Sequence, residues 1–288
     1  IEQHNSSDID YFFNWNNSTD LIIAIIKLIE DRMNAPHDIF EEGVRAILLV
    51  EDSVRYYSTY LPLLYKLVLQ QNQIAIRDAL NEKQQLLRKR ARPKVLLATC
   101  YDEAIETYRR YETNIIGVIS DIGFVLHKGD PSSTEKVDAG TDLCRLIRKE
   151  NPTMPFLMQS SQEAMSSIAK QLKVGFVVKT SKTLTQELSA YIEREFGFGD
   201  FVAIDPRSGK EIARASDLEA FERVISTISS AAFRRLSDNN YLSKWLFARG
   251  LFAIGRHVQQ LQIQDDTDIE NIRLTNIRLI HDYRINQA

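Results

Sequence analysis

Cysteine is almost missing from this chain: Cys100 and Cys144 are the two in 288 residues. Two thiols cannot build a disulfide framework, and their spacing is not that of a zinc site, so both read as buried or inert thiols in a reducing cytoplasm. Long apolar runs are missing as well. The longest, Leu21 to Ile29, is interrupted by Lys27 and falls short of the roughly 20 residues that span a bilayer. No secretory signal is visible. Charge of one sign is also in short supply: with a net charge of −3, nothing global draws the chain to nucleic acid or to an anionic membrane. There is no exact repeat and no long low-complexity tract. The length suits about two domains. The chain opens on Ile1, partway through a pattern, and reads as a piece of a larger protein.

From Arg45 onward, apolar runs alternate with amphipathic stretches, the rhythm of a doubly wound parallel sheet. The spacing predicts strands near 45–50, 94–99, 115–120, 155–159 and 175–178, with helices around 103–112, 140–150, 162–172 and 183–196. Between the first two strands Tyr56, Tyr60, Leu64, Leu67 and Val68 predict an extended helix, with a kink or break near Tyr60 because Pro62 lies within it. Ahead of the sheet, the stretch from Ile9 to Asn14 reads as a strand. Ser18-Thr19-Asp20 then caps a helix that Asn34-Ala35-Pro36 should stop. After Gly197 and Gly199, a hairpin is expected around Asp205-Pro206-Arg207-Ser208-Gly209, and residues 216–288 look almost wholly helical. The chain divides into three parts: 1–43, one strand and one helix; 44–199, the α/β sheet; and 200–288, a small hairpin with a helical linker or output region.

Three of the apolar runs end in charge. Glu51 and Asp52 follow the first strand, Asp121 the third, and Lys179 the fifth. In a parallel sheet these ends lie side by side, so three carboxylates and one ammonium converge on the carboxyl edge. Such a hard-oxygen cluster suits Mg²⁺ and a phosphoryl group.

The order of these residues resembles the receiver domain of two-component response regulators. In that family an acidic pair follows the first strand, an Asp the third, a Ser or Thr the fourth and a Lys the fifth, with an aromatic three residues before the Lys. Here those positions fall on Glu51, Asp52, Asp121, Ser160, Lys179 and Phe176. The resemblance implies a non-enzymatic phosphoacceptor module. Asp121 would be the nucleophile, Mg²⁺ would be held by Glu51, Asp52, Asp121 and the Gly123 carbonyl, and Ser160, Lys179 and Phe176 would form the switch. It implies a histidine kinase or phosphotransfer protein as donor, with an output domain and a second copy of the chain as further partners, and neither nucleic acid nor membrane. Three features depart from the family pattern: Thr180 follows the lysine where a proline is usual, Ile122-Gly123-Phe124 follows Asp121 in place of a proline-containing turn, and the 124–138 loop is long enough to act as a lid or to be mobile.

A second resemblance takes in the ends. Residues 10–15 and the following helix look like the close of a preceding, degenerate receiver-like domain. The segments 50–58, 196–201 and 243–250 are similar to the regulatory region preceding bacterial phosphoenolpyruvate synthase or pyruvate phosphate dikinase-like enzymes.

Plainer readings stand beside these. Ser160 and Ser161 can simply begin the next helix, and Phe176 can be core. Tyr56, Tyr57 and Tyr60 read as a packed helix face, and Trp245, Leu246 and Phe247 as core of the helical segment. The basic run 88–92 reads as a solvated helix end, and His37-Asp38 and His281-Asp282 lack the further ligands of a metal phosphohydrolase. The functional alternative is a receiver-shaped scaffold for dimerisation or docking that takes no phosphate. A phosphatase reading is weakened by Gly123, which stands where such enzymes often carry a second acid.

Overall fold

Residues 10–15, 17–77, 85, 89, 92–265 and 267–287 are described by the computed structural model. Five parallel strands, β1 (Ala46–Val50), β2 (Lys94–Ala98), β3 (Ile115–Asp121), β4 (Phe156–Ser160) and β5 (Gly175–Val178), form one sheet in the order β2-β1-β3-β4-β5. β1 is Ala-Ile-Leu-Leu-Val and buried at every position, as a central parallel strand covered on both faces must be. Helices α3 (Tyr101–Tyr111), α4 (Ala139–Glu150) and α5 (Ser166–Leu172) cover one face through Ala104, Tyr108, Leu143, Ile147 and Ala169. On the other face lie α2 (Val54–Arg77) and α6 (Leu184–Glu195), packed through Tyr60, Leu61, Leu64, Leu188 and Ile192. This is the doubly wound, flavodoxin-like architecture, whose strand order reverses between β1 and β3.

The amino-terminal helix α1 (Thr19–Phe40) covers the edge strand β2. Ser18 caps it by accepting the Asp20 amide at 3.2 Å. An edge strand leaves amides unpaired, and buried Asp31 of α1 accepts the Val95 amide of β2 at 2.8 Å. The same carboxylate pairs with Arg92 and accepts the Tyr65 hydroxyl at 2.9 Å.

The stop expected at Pro36 is corrected, and of the kink or break expected near Tyr60 the break does not occur. α1 continues through Pro36 because Ala35 and Ile39 are buried and Asp38 pairs with Lys94 at 2.6 Å. α2 runs unbroken through Pro62, held on either side by buried Leu61 and Leu64. A proline removes one intrahelical donor, and packing outweighs that loss here. The strand expected at Ile9–Asn14 is absent among its described residues, 10–14. Most of the basic run at 88–92 lies outside the described residues. Lys89 is exposed, but Arg92 is a buried ion-pair partner instead of a solvated cation.

The chain then forms the antiparallel hairpin β6 (Phe201–Ile204) and β7 (Glu211–Ala215), followed by α7 (Leu218–Thr227), α8 (Ser230–Asp238), α9 (Tyr241–Ala248), α10 (Phe252–Gln260) and α11 (Ile269–Gln287). Trp245 stacks on Phe221 at 4.4 Å in its own core. This unit docks beneath the sheet, at the amino ends of the strands. Asn240 donates to the Thr153 hydroxyl at 3.0 Å, Lys244 to the Thr153 carbonyl at 3.0 Å, and the Arg45 guanidinium lies 3.4 Å over the Phe247 ring. Gly197, at φ +81°, ends α6 in the left-handed conformation. A Cβ there would stand 2.8 Å from the Lys244 backbone. Among the described residues no helix is long and apolar enough to cross a membrane.

Candidate functional site

The β1/β3 reversal opens a crevice at the carboxyl edge of the sheet, and the loops there carry the predicted charges. Glu51, Asp52 and Asp121 each place a carboxylate oxygen within 4.8 Å of the others, the one such acidic group among the described residues. Lys179, leaving β5, reaches across to join two of them. Its Nζ lies 2.6 Å from Glu51 Oε2 and 2.5 Å from Asp121 Oδ2. The side chains of Glu51 and Lys179 are almost wholly buried, while that of Asp121 keeps 13% exposure, enough to face solvent.

Backbone amides complete the cradle. Ile122 donates to Asp121 Oδ1 at 2.7 Å and the Gly123 amide also serves this carboxylate. Val125 donates to Asp52 at 3.1 Å and Ser53 to Glu51 at 3.2 Å. The long loop after β3 is thus fastened to the site: Phe124 is buried, bridges to Lys136, and stacks on Tyr101.

Burial raises the Glu51 carboxyl to about 8 against the pull of Lys179, with Asp121 adding repulsion. Burial raises Asp52 to about 6, opposed by the Val125 amide and helped by Glu135 and Asp121. Asp121 is raised by burial, against Lys179 and its two amides. For Lys179 burial works against the ammonium, yet the two carboxylates prevail and its pKa is raised. Three carboxylates face one ammonium, a surplus of negative charge built from hard oxygen donors. That donor set fits a divalent cation such as Mg²⁺.

The remaining predicted residues are adjacent. Ser160 ends β4, where its carbonyl accepts the Lys179 amide at 2.9 Å and its hydroxyl accepts the Gln162 amide at 3.2 Å. Phe176 is half-buried in β5 against the core. Gly123 follows Asp121 by two residues, at the start of the fastened loop.

Three contributors were not singled out from the sequence as part of this site. Gln159 sits beside Asp121 in the β3/β4 register and donates to Glu51 at 3.1 Å. Its signal was a polar residue directly after the apolar run 156–158, still within the strand. Tyr56 lays its ring 4.3 Å from Lys179 Nζ and stacks on Tyr60, whose buried hydroxyl has no hydrogen-bond partner. Tyr56 and Tyr60 are the packed helix face the sequence suggests, and Tyr56 on it also lies against the lysine. The histidine pairs are structural: Asp38 serves Lys94, and His281 pairs with Glu222 at 3.0 Å.

A five-stranded sheet in this order is the flavodoxin-like α/β fold, and it carries here an acidic crevice at the β1/β3 reversal with a lysine closing it from β5. One solved structure to which the chain is similar is described as a response regulator receiver domain protein from Clostridium thermocellum. The likeness covers 52% of this chain and 92% of that chain, at 19% identity and a TM-score of 0.33. No protein-family model matches the chain, and no curated protein sequence matches it.

Proposed function

We propose that the chain is a phosphorylation-dependent signalling module in which Asp121 accepts a phosphoryl group. The observation that carries this reading is the bridge from Lys179 to both Glu51 and Asp121 at the carboxyl edge, with Asp52 alongside. Asp121 Oδ attacks phosphorus in line, the P–N bond of a donor phosphohistidine breaks, and the imidazole leaves with the bonding pair. Glu51, Asp52, Asp121 and the Gly123 carbonyl are the donors for Mg²⁺, which when bound supplies positive charge against the phosphoryl oxygens. Lys179, already on Asp121, pairs with the aspartyl phosphate. Ser160 donates a hydrogen bond from its hydroxyl to a phosphoryl oxygen, and Phe176 follows the loop inward. A histidine kinase or phosphotransfer protein is the donor. The output is an attached or partner domain, for which the resemblance offers a phosphoenolpyruvate synthase-like enzyme.

Acetyl phosphate with Mg²⁺ should add one phosphoryl group to the wild-type chain by intact-mass measurement, and Asp121→Asn should abolish the addition. Equal behaviour of wild type and variant would refute the reading. The scaffold alternative predicts no Mg²⁺ binding at the three carboxylates, so calorimetric titration of the ion separates the two.

A further inference from the structure

Helix α1 carries two apolar stripes. Leu21, Ala24, Leu28, Ala35 and Ile39, with Asp31 among them, are buried against the sheet and α2. On the other side Ile22, Ile26, Ile29, Met33 and Phe40 are 47, 50, 48, 75 and 58% exposed. Their spacing is four, three, four and seven residues, and Pro36 fills the position that would complete the series. At 3.6 residues per turn these five lie within an arc of about 60°, the narrow seam of a helix that meets another helix, not the wider stripe that covers a sheet.

We propose that this seam is a self-association surface on which α1 of a second copy of the chain docks. Surface area supports it. The five side chains leave roughly 600 Å² in water, at the top of the range of about 300–600 Å² for the largest apolar patch of a typical monomer. Counted over two copies, the five side chains bring roughly 1,200 Å², the lower end of the range for specific protein interfaces. A two-fold pairing needs only one self-complementary patch. Charge argues against a lipid surface, because Asp20, Glu30, Asp31 and Asp38 accompany Lys27 and Arg32 on the helix, with none of the basic bias of an interfacial helix.

The seam sits on a firmly attached element. Asp31 joins α1 to Arg92, Tyr65 and the β2 edge, and Asp38 joins it to Lys94. Just ahead of the helix, the Asn14 amide donates to Ser58 at 3.0 Å and Tyr57 donates to the Phe12 carbonyl. Both contacts end on α2, the helix that carries Tyr56 and Tyr60 beneath Lys179. A dimer built on α1 therefore has its interface on a helix packed directly against α2, the helix that carries Tyr56.

Light scattering coupled to size exclusion, on the full chain at tens to hundreds of micromolar, tests this. Wild type should run at twice the chain mass. The double variant Ile26→Glu, Met33→Glu should run as a monomer, with association weakened at least 100-fold, and should melt like wild type diluted to its monomeric range, because both side chains are exposed. Ile212→Glu, at an exposed position on the distant hairpin, should leave the dimer intact, as should Asp121→Asn. A wild-type monomer at 100 µM would overturn the proposal and leave the seam to a different protein segment. A dimer that survives the double variant would overturn it equally.

Discussion

Gly140 lies directly against the backbone of Asp121: its amide donates to the Ile122 carbonyl at 2.8 Å, and a Cβ built on it would stand 2.0 Å from the Asp121 carbonyl oxygen. The second residue of α4 thus sets how closely that helix approaches β3, the strand that ends in Asp121. Only a residue without a Cβ permits the distance. Gly140→Ala should destabilise the chain by about 1–3 kcal/mol in urea unfolding, since backbone must move to relieve the overlap. It should also slow labelling by acetyl phosphate, because the displaced backbone is that of Asp121 itself.

Removing the lysine leaves two buried carboxylates facing each other. Lys179→Ala should cost about 3 kcal/mol, in the range found when one partner of a buried ion pair is deleted. Part of the loss should be recovered on adding Mg²⁺, because a cation again stands among the same oxygens. A thermal melt with and without the ion reads both effects.

The pH dependence has a definite sign. Glu51 moves from an ordinary 4.5 to about 8 on folding, and Asp52 from 3.8 to about 6. Each binds its proton more tightly when folded, so each contributes its full stability below its unfolded value and loses it as pH rises through the folded one. Without a divalent cation, stability should therefore fall between about pH 4 and 8. Lys179, raised from 10.5, contributes its own loss only above that window. Glu51→Gln should flatten the slope, and Mg²⁺, which binds the ionised carboxylates, should stabilise most at the alkaline end.

Arg249 fastens the helical unit to the sheet domain. Its guanidinium donates to the Gly197 and Gly199 carbonyls, both at 3.1 Å, and lies 3.6 Å over the Trp245 ring, whose Nε1 also donates to Gly199 at 3.2 Å. Arg249→Ala should cost about 2 kcal/mol by removing two donors and a cation–π contact. Arg249→Lys should not restore it, since one ammonium cannot reach both carbonyls and stack as a planar fork does. Urea unfolding followed by Trp245 fluorescence distinguishes the variants.

Much of this molecule is legible along the chain. Buried parallel strands are near-continuous apolar runs, and their charged ends share one edge of the sheet. Arg45 to Lys179 therefore announces five strands and the meeting of Glu51, Asp52, Asp121 and Lys179. Ser18 as a cap and the turn around Gly209 are equally local, because a side-chain oxygen or a positive φ acts within a few residues. What was not legible depends on neighbours distant in sequence. Pro36 and Pro62 stay inside helices because packing on the sheet exceeds the loss of one hydrogen bond each.

Local chemistry, then, determined the strands, their order of charges and the acidic site, since each follows from which residues end a buried run. Only the tertiary structure decided that Gln159, Tyr56 and Tyr60 surround that site, that the helical unit docks at the opposite edge, and that α1 seals β2 while turning Ile26 and Met33 to water. Those outcomes rest on contacts between residues tens of positions apart, whose pairing no local period encodes.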